Sequence, residues 1–581
     1  MINLQPCAHG GMEFFMETGR SVLKNMNQEQ RFIFDRTMEL LDGLYDEKAH
    51  LLFAKAAGEG GRHDVRGSSH YALGLLTRGG EGDFSRAQDV IRAVLSMQYQ
   101  ADGEIFDGTF KRTPDEPNPP MGKLPWRRIT PDARYHMDLW EERIVDRFRR
   151  ALAGSGAYSA DAVRDIEAKL NQSILSELPV VWATYDPNWR EFISCAFAMI
   201  IELYEDELDE KLVDEIDEAM KRAVRGSIDR KLANLTPMNT NVEIMHIFIS
   251  AYFGTRYSDS NVVAYAHTAA ADFYSRYKEF DSVAEFNSPT YCSVDLAAFA
   301  QWRMYGTPFL QKLGAEMEAN LWQNIADFYN ANLRNICGPF ARNYEMDLGL
   351  HSSMHTLIYL GLGSDLVPEP PDNQEREHNT QLAITGTIIP PHLKRRFAEH
   401  DEDRLVTKQF RELMERGDPA ANNPLCTCTA WIEKDLMLGA MSGSHNHSNQ
   451  LHTATIYWKA PDGTISSIRL LRREAGGGCN HYRTILFNNT ASKRHLSSDV
   501  EFDVTRDIEL FFECNARGIE PAMIGAQEWN LPGLQVRLEA KAPAPLVRMT
   551  DEDFCEAVYA YHYGDTAWRT MHFEIDFTPV S

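Results

Sequence analysis

Asp365-Leu366-Val367-Pro368-Glu369-Pro370-Pro371-Asp372-Asn373 separates two stretches of chain with different textures. Its prolines fix φ and remove backbone donors, so it cannot be helix interior, and its acids keep it in solvent. Residues 365 to 380 therefore read as a linker. Upstream, from about 27 to 361, apolar residues recur at helical spacing; Ala87, Val90, Ile91, Val94 and Leu95 fall at i, i+3, i+4, i+7 and i+8. Helices are expected over 28–46, 160–174, 188–204, 208–233, 241–253, 260–279, 291–304 and 309–334, divided by Gly, Pro, Asn and Asp. So many helices with almost no strand signal imply paired helices packed into a ring or bundle. Downstream, β-branched and aromatic residues come in short runs, with strands expected at 382–389, 427–432, 453–459, 465–471, 484–487, 508–513, 534–539 and 571–577. Pro461-Asp462-Gly463 supplies a hairpin turn between two of them, so this half reads as an antiparallel sandwich.

The 581 residues suffice for two large domains and a deep cleft. Hydrophobic content of 43% and charged content of 25% are those of a folded, soluble chain. A net charge of −25 argues against non-specific binding of nucleic acid or anionic membrane, both of which need a basic surface. No stretch approaches about 18 uninterrupted apolar residues, and Met1 to Glu17 lacks a basic start followed by an apolar run. The chain as given is expected to be soluble and cytoplasmic, or periplasmic or secreted had a signal peptide been removed. Nine scattered cysteines read as reduced thiols, and the Cys426-x-Cys428 pair has no second pair at zinc spacing.

Residue types that a helical core does not need gather in five places. Glu285-Phe286-Asn287-Ser288-Pro289-Thr290-Tyr291 turns at Ser-Pro and restarts with Tyr291 at a helix mouth, which makes Tyr291 the leading catalytic candidate. Asn188-Trp189-Arg190 follows a proline turn; a Trp can stack on a sugar while its neighbours hydrogen-bond, although an N-cap Asn with a core Trp fits equally. Asn239-Thr240-Asn241 is either a helix cap or a donor set for a substrate carboxylate. His246, inside an apolar run, reads as a satisfied core histidine or a base. Arg342-Asn343-Tyr344-Glu345 follows a Gly-Pro turn, where Arg342 could grip a carboxylate by its fork. His445-Asn446-His447 with His452 raises a metal question; a loop reaching into the helical cleft is the preferred reading, with no cofactor required.

In this order of parts the chain resembles the two-domain polysaccharide lyases, the chondroitin AC, hyaluronate, alginate and heparinase II/III-like enzymes. Asn188-Trp189 resembles their aromatic patch and Asn241 their carboxylate-neutralising asparagine. Tyr291 follows Asn241 by 50 residues and Arg342 follows Tyr291 by 51, similar to the family's asparagine, tyrosine and arginine. The resemblance implies an (α/α) toroid over 1–364 and an antiparallel β-sandwich over 381–581. It implies β-elimination next to a uronate, with Asn241, Asn239 and Arg342 neutralising the carboxylate and Tyr291 or a histidine taking the proton. Tyr344, His445 and His447 are the alternates. The family's histidine shortly before the tyrosine is replaced here by Asn287 and Ser288, which leaves Tyr291, His246 or a sandwich histidine as base. The partner implied is a uronate polysaccharide or oligosaccharide, with a homo-oligomer possible. An inverting hydrolase using two of Glu191, Glu285, Glu345 and Asp347, or a non-catalytic carbohydrate-binding protein, would use the same cleft.

Overall fold

The computed structural model describes residues 19–54, 61–119, 128–129, 131–177, 180–181, 186–233, 238–350, 352–412, 425–444, 450–475, 485–502, 504 and 507–580. Ten of the α-helices among the described residues build the ring: α1 (Gln28–Asp42), α2 (Val65–Arg78), α3 (Asp83–Ser96), α4 (Trp189–Tyr204), α5 (Glu210–Ala233), α6 (Thr240–Arg256), α7 (Ser260–Tyr277), α8 (Pro289–Tyr305), α9 (Pro308–Phe328) and α10 (Asn379–Thr385). Five of them form a closed inner ring, α2 against α4, α4 against α6, α6 against α8, α8 against α10, and α10 back against α2. Each inner helix is backed by one outer helix: α3, α5, α7, α9 and α1 in the same order. This is the toroid of paired helices.

The sequence encodes the two layers differently. Inner helices are covered on every side, and α2 buries all but Arg66 and Arg78. Outer helices bury one stripe; in α3 it is Ala87, Val90, Ile91 and Val94, the helical repeat read from the sequence. The helix expected over 28–46 stops at Asp42 before Gly43, and the one over 309–334 stops at Phe328, where Tyr329–Asn330 pairs with Asn335–Ile336.

The second part is an antiparallel sheet of β1 (Arg404–Arg411), β2 (Leu425–Ile432), β3 (Leu436–Ser444), β4 (Ala454–Lys459), β5 (Ile465–Glu474), β6 (Ile485–Ser492), β7 (His495–Phe502), β8 (Ile508–Asn515), β9 (Glu528–Leu531), β10 (Leu534–Lys541), β11 (Leu546–Asp551), β12 (Phe554–Tyr561) and β13 (Thr570–Pro579). The path runs β9-β10-β13-β7-β6-β3-β4-β5-β8-β12-β11, with β2 and then β1 added on β3. Strands far apart along this path touch face to face. Phe512 of β8 meets Phe573 of β13 with ring centroids 5.5 Å apart, and Phe502 of β7 stacks on Tyr561 of β12 at 4.7 Å. The sheet is thus folded over an aromatic core as a sandwich. Ala460-Pro461-Asp462-Gly463 turns β4 into β5 as expected.

One expected strand is a helix. Residues 382–389 hold the β-branched residues Ile384, Thr385, Thr387, Ile388 and Ile389, yet Asn379–Thr385 is α10, with all seven residues buried in the inner ring. A short apolar run carries no period to distinguish a covered helix from a strand, so packing decides. The strands of the sheet begin at Arg404 instead. The sequence reading also passed over β1, β3, β7, β9, β11 and β12.

The two parts meet where backbone lies on backbone. A Cβ added to Gly439 of β3 would stand 1.8 Å from the carbonyl oxygen of Gly338, whose own Cβ would meet Thr455 Oγ1 at 2.2 Å. Gly439→Ala is expected to destabilise the protein by about 3 kcal/mol, since the obstructing atom is backbone and cannot rotate away. A denaturation midpoint equal to wild type would refute it. Among the described residues no helix is long and apolar enough to cross a membrane.

Candidate functional site

Ser288 accepts the Tyr291 amide at 3.2 Å as the N-cap of α8, and Pro289 opens the first turn. Asn287 just before it has φ of 53°, a left-handed conformation that asparagine tolerates. Its amide donates to the carbonyls of Cys337 at 2.7 Å and Pro339 at 3.0 Å. Asn287 is therefore a brace that seats the 337–342 turn beside the helix mouth. The Ala341 amide adds a bond to the Phe286 carbonyl at 3.1 Å.

That brace places Arg342 over the face of the Tyr291 ring, its guanidinium carbon 4.0 Å from the centroid. Arg342 also donates through Nε to Gln450 Oε1 at 2.6 Å and through Nη1 to Glu285 Oε1 at 2.5 Å. The other Glu285 oxygen accepts the backbone amide of Asn241 at 3.0 Å, in the first turn of α6 where amides lack helical partners. One carboxylate thus ties Arg342 to the positive end of α6. The Asn241 side-chain oxygen accepts the Val242 amide at 2.8 Å, which leaves its NH2 group as the donor.

Tyr291 is 7% exposed, and its hydroxyl lies 3.1 Å from that of Tyr344 and 3.4 Å from Gln450 Oε1. Tyr344 is 46% exposed, so the tyrosine pair runs from the interior to solvent. Burial pushes the Tyr291 phenol well above its usual range, against the pull of Arg342. One turn further along α8, Asp295 is fully buried, and neither carboxylate oxygen has a hydrogen-bond partner. Burial, and next the negative charge of Glu285, push its pKa well above the usual carboxylate range.

Residues 31–128 and 167–389 match a family model described as a domain of unknown function, DUF8769. The chain belongs to this family. In the DUF8769 protein the match takes in the helical ring and the turn leading into α10, and the sheet lies outside it. No curated protein matches the chain. Among solved structures it is similar to a heparinase III, the BT4657 gene product, at 9% identity and a TM-score of 0.31, covering 96% of this chain and 85% of that one. It is also similar to the chondroitin AC lyase of Streptomyces coelicolor A3, solved with chondroitin sulphate, at 11% identity and a TM-score of 0.36, covering 94% and 82%. Similarity at this level assigns neither residues nor chemistry to the DUF8769 protein.

The structure brings together Tyr291, Arg342, Tyr344, Glu285 and the Asn241 backbone, and it adds Gln450 and Asp295. Asp295 stands at i+4 from Tyr291, a helical spacing visible in the sequence; Gln450 had only its place beside the histidine loop as a signal. Other candidates fall elsewhere. His246 is buried, with Nδ1 2.8 Å from Ser227 Oγ and Nε2 2.9 Å from the Tyr265 hydroxyl, and burial lowers its pKa to about 3. No ring nitrogen is left to take a substrate proton. Arg190, expected at a subsite, is wholly buried and holds the backbone carbonyls of Gly226 at 2.7 Å and Asp107 at 2.8 Å, so it cannot touch a sugar. Asn188 accepts from Arg230 at 2.9 Å, and the half-buried Trp189 lies 5.5 Å from the Arg66 guanidinium. Asn239 is the N-cap of α6 without a side-chain cap bond. His445 and His447 lie outside the described residues. His452 is buried, with Nε2 3.2 Å from Arg469.

Proposed function

We propose that the DUF8769 protein is a polysaccharide lyase that cleaves next to a uronate by β-elimination. The observation that carries this reading is the buried Tyr291 hydroxyl in contact with the solvent-exposed Tyr344, under a guanidinium held over its ring. Elimination needs a base for the C5 proton, a neutralised C6 carboxylate to make that proton acidic, and an acid for the leaving oxygen. The Asn241 amide, the N-terminal end of α6 and Arg342 supply the positive field for the carboxylate. The Tyr291 phenolate removes the C5 proton, the C4–O bond breaks as the C4–C5 double bond forms, and the same phenol returns the proton to the departing glycosidic oxygen. Tyr344 stabilises the phenolate by its hydrogen bond and relays protons to solvent.

The hydrolase alternative gains less support. Glu285 is bound by Arg342 and the Asn241 amide, Glu191 by Ser227 and 3.5 Å from Arg230, and Asp347 accepts the Gly349 amide. Incubation with a panel of uronate glycans is expected to release products with the ultraviolet absorbance of a 4,5-unsaturated uronate. Because the phenol is raised by burial, the folded protein favours the protonated form, and kcat/KM is expected to climb with pH from neutral into the alkaline range without levelling near pH 7. New reducing ends without the absorbance would favour the hydrolase, and binding without either product a non-catalytic role.

A further inference from the structure

Among the inner helices α4, α6, α8 and α10 lies a small cavity of about 20 Å³ lined by Phe192, Cys195, Met245, Gln301, Glu375 and His378 among others. Glu375, Glu377 and His378 sit on the turn that enters α10, and one ligand atom from each falls within 4.8 Å of the others. His378 Nε2 is 3.3 Å from Glu375 Oε2 and 3.8 Å from Glu377 Oε1, yet it makes a hydrogen bond to neither. A nitrogen and carboxylates this close without a hydrogen bond converge on a shared point rather than on one another. Bonds of about 2.1 Å at tetrahedral angles put ligand atoms about 3.4 Å apart, close to the spacing seen.

His70 supplies an independent observation. It projects from α2, the inner helix that packs beside α10, is 1% exposed, and neither of its ring nitrogens has a hydrogen-bond partner. Its ring centroid is 4.5 Å from that of His378. A buried imidazole in contact with a partly buried one, with three of their four nitrogens shielded from solvent and unpartnered, is costly in a folded core unless something binds them. Arg66 donates to Glu377 at 3.2 Å and stands 3.7 Å from Glu375, held by the Trp189 and Phe192 rings. Its single positive charge is shared by two carboxylates, so among these three side chains negative charge is in excess by one.

We propose that Glu375, Glu377 and His378 bind a divalent transition-metal ion of the zinc type, with His70 as the fourth ligand. The donor set is imidazole with carboxylate, which suits Zn²⁺; Mg²⁺ and Ca²⁺ ask for six or more oxygens that the site does not offer. The ion would fasten the turn before α10 to α2 and so close the ring, independently of the reaction at Tyr291.

The full chain, stripped with chelator and dialysed, is titrated calorimetrically with ZnCl2 and with MgCl2. One equivalent of Zn²⁺ is expected to bind, with no Mg²⁺ binding, and Co²⁺ in its place should give the visible bands of a tetrahedral site. Glu375→Gln and His378→Ala should each weaken binding at least about tenfold, and His70→Ala about 10- to 100-fold. Circular dichroism of each variant separates lost ligation from lost folding, and the isosteric Glu375→Gln keeps the test decisive where His378→Ala is damaged. Absence of stoichiometric Zn²⁺ binding would mean that Arg66 alone neutralises the carboxylates and would overturn the proposal. Binding unchanged in both Glu375→Gln and His378→Ala would also overturn it, by placing the ion elsewhere.

Discussion

Tyr291→Phe is expected to lower turnover of the uronate substrate by about 10²- to 10⁴-fold, the range a positioned acid-base group contributes. The loss should fall mainly on kcat, because the phenyl ring that underlies Arg342 is retained and only the hydroxyl that moves the proton is removed. Stability should change by less than about 1 kcal/mol, since the hydroxyl's two partners, Tyr344 and Gln450, lie toward the open side of the site and can bond to water instead. Steady-state kinetics beside a denaturation curve checks both halves. A variant with wild-type kcat would remove Tyr291 from the mechanism. Residual activity that follows the same alkaline rise with pH would transfer the base to Tyr344, which stays in place in the variant.

The ring of helices was legible because its outer members repeat apolar residues at helical spacing, as Ala87 to Val94 do in α3, and Pro or Gly punctuates the turns. Residues 382–389 misled for the opposite reason: in a helix covered on all sides, Ile384 and Thr385 carry no face, and only contacts made hundreds of residues away in sequence decide their state. Strands such as β1 and β7, which carry charges and serines among their apolar residues, gave too little contrast to be read. At the site, Tyr291 was legible from the Ser288-Pro289 step, because that step is itself the cap. The role of Asn287 was not: its bonds go to carbonyls 50 and 52 residues on, which no local pattern encodes. For Arg190 and His246 the sequence left a substrate role and a core role both open, and the structure gives the core role, since they satisfy buried backbone and side-chain groups.

Arg342→Met should have the largest effect on stability of any single change at the site. Glu285 is 4% exposed at its side chain and Arg342 14%, so the substitution removes the guanidinium from a carboxylate held in the interior beside the Asn241 amide. Breaking a buried ion pair from one side costs about 3–5 kcal/mol, whereas replacing both partners by neutral groups costs far less. The double variant Glu285→Gln/Arg342→Met is therefore expected to regain most of what the single variant loses in a denaturant-unfolding series. Activity should behave differently. It should fall in Arg342→Met and stay low in the double variant, because the proposed elimination still lacks the cation that offsets the substrate carboxylate and favours the Tyr291 phenolate. A double variant no more stable than Arg342→Met would show that the pair does not carry the cost assigned to it. Activity returning together with stability would show that Arg342 supports the fold of the cleft and takes no part in the chemistry.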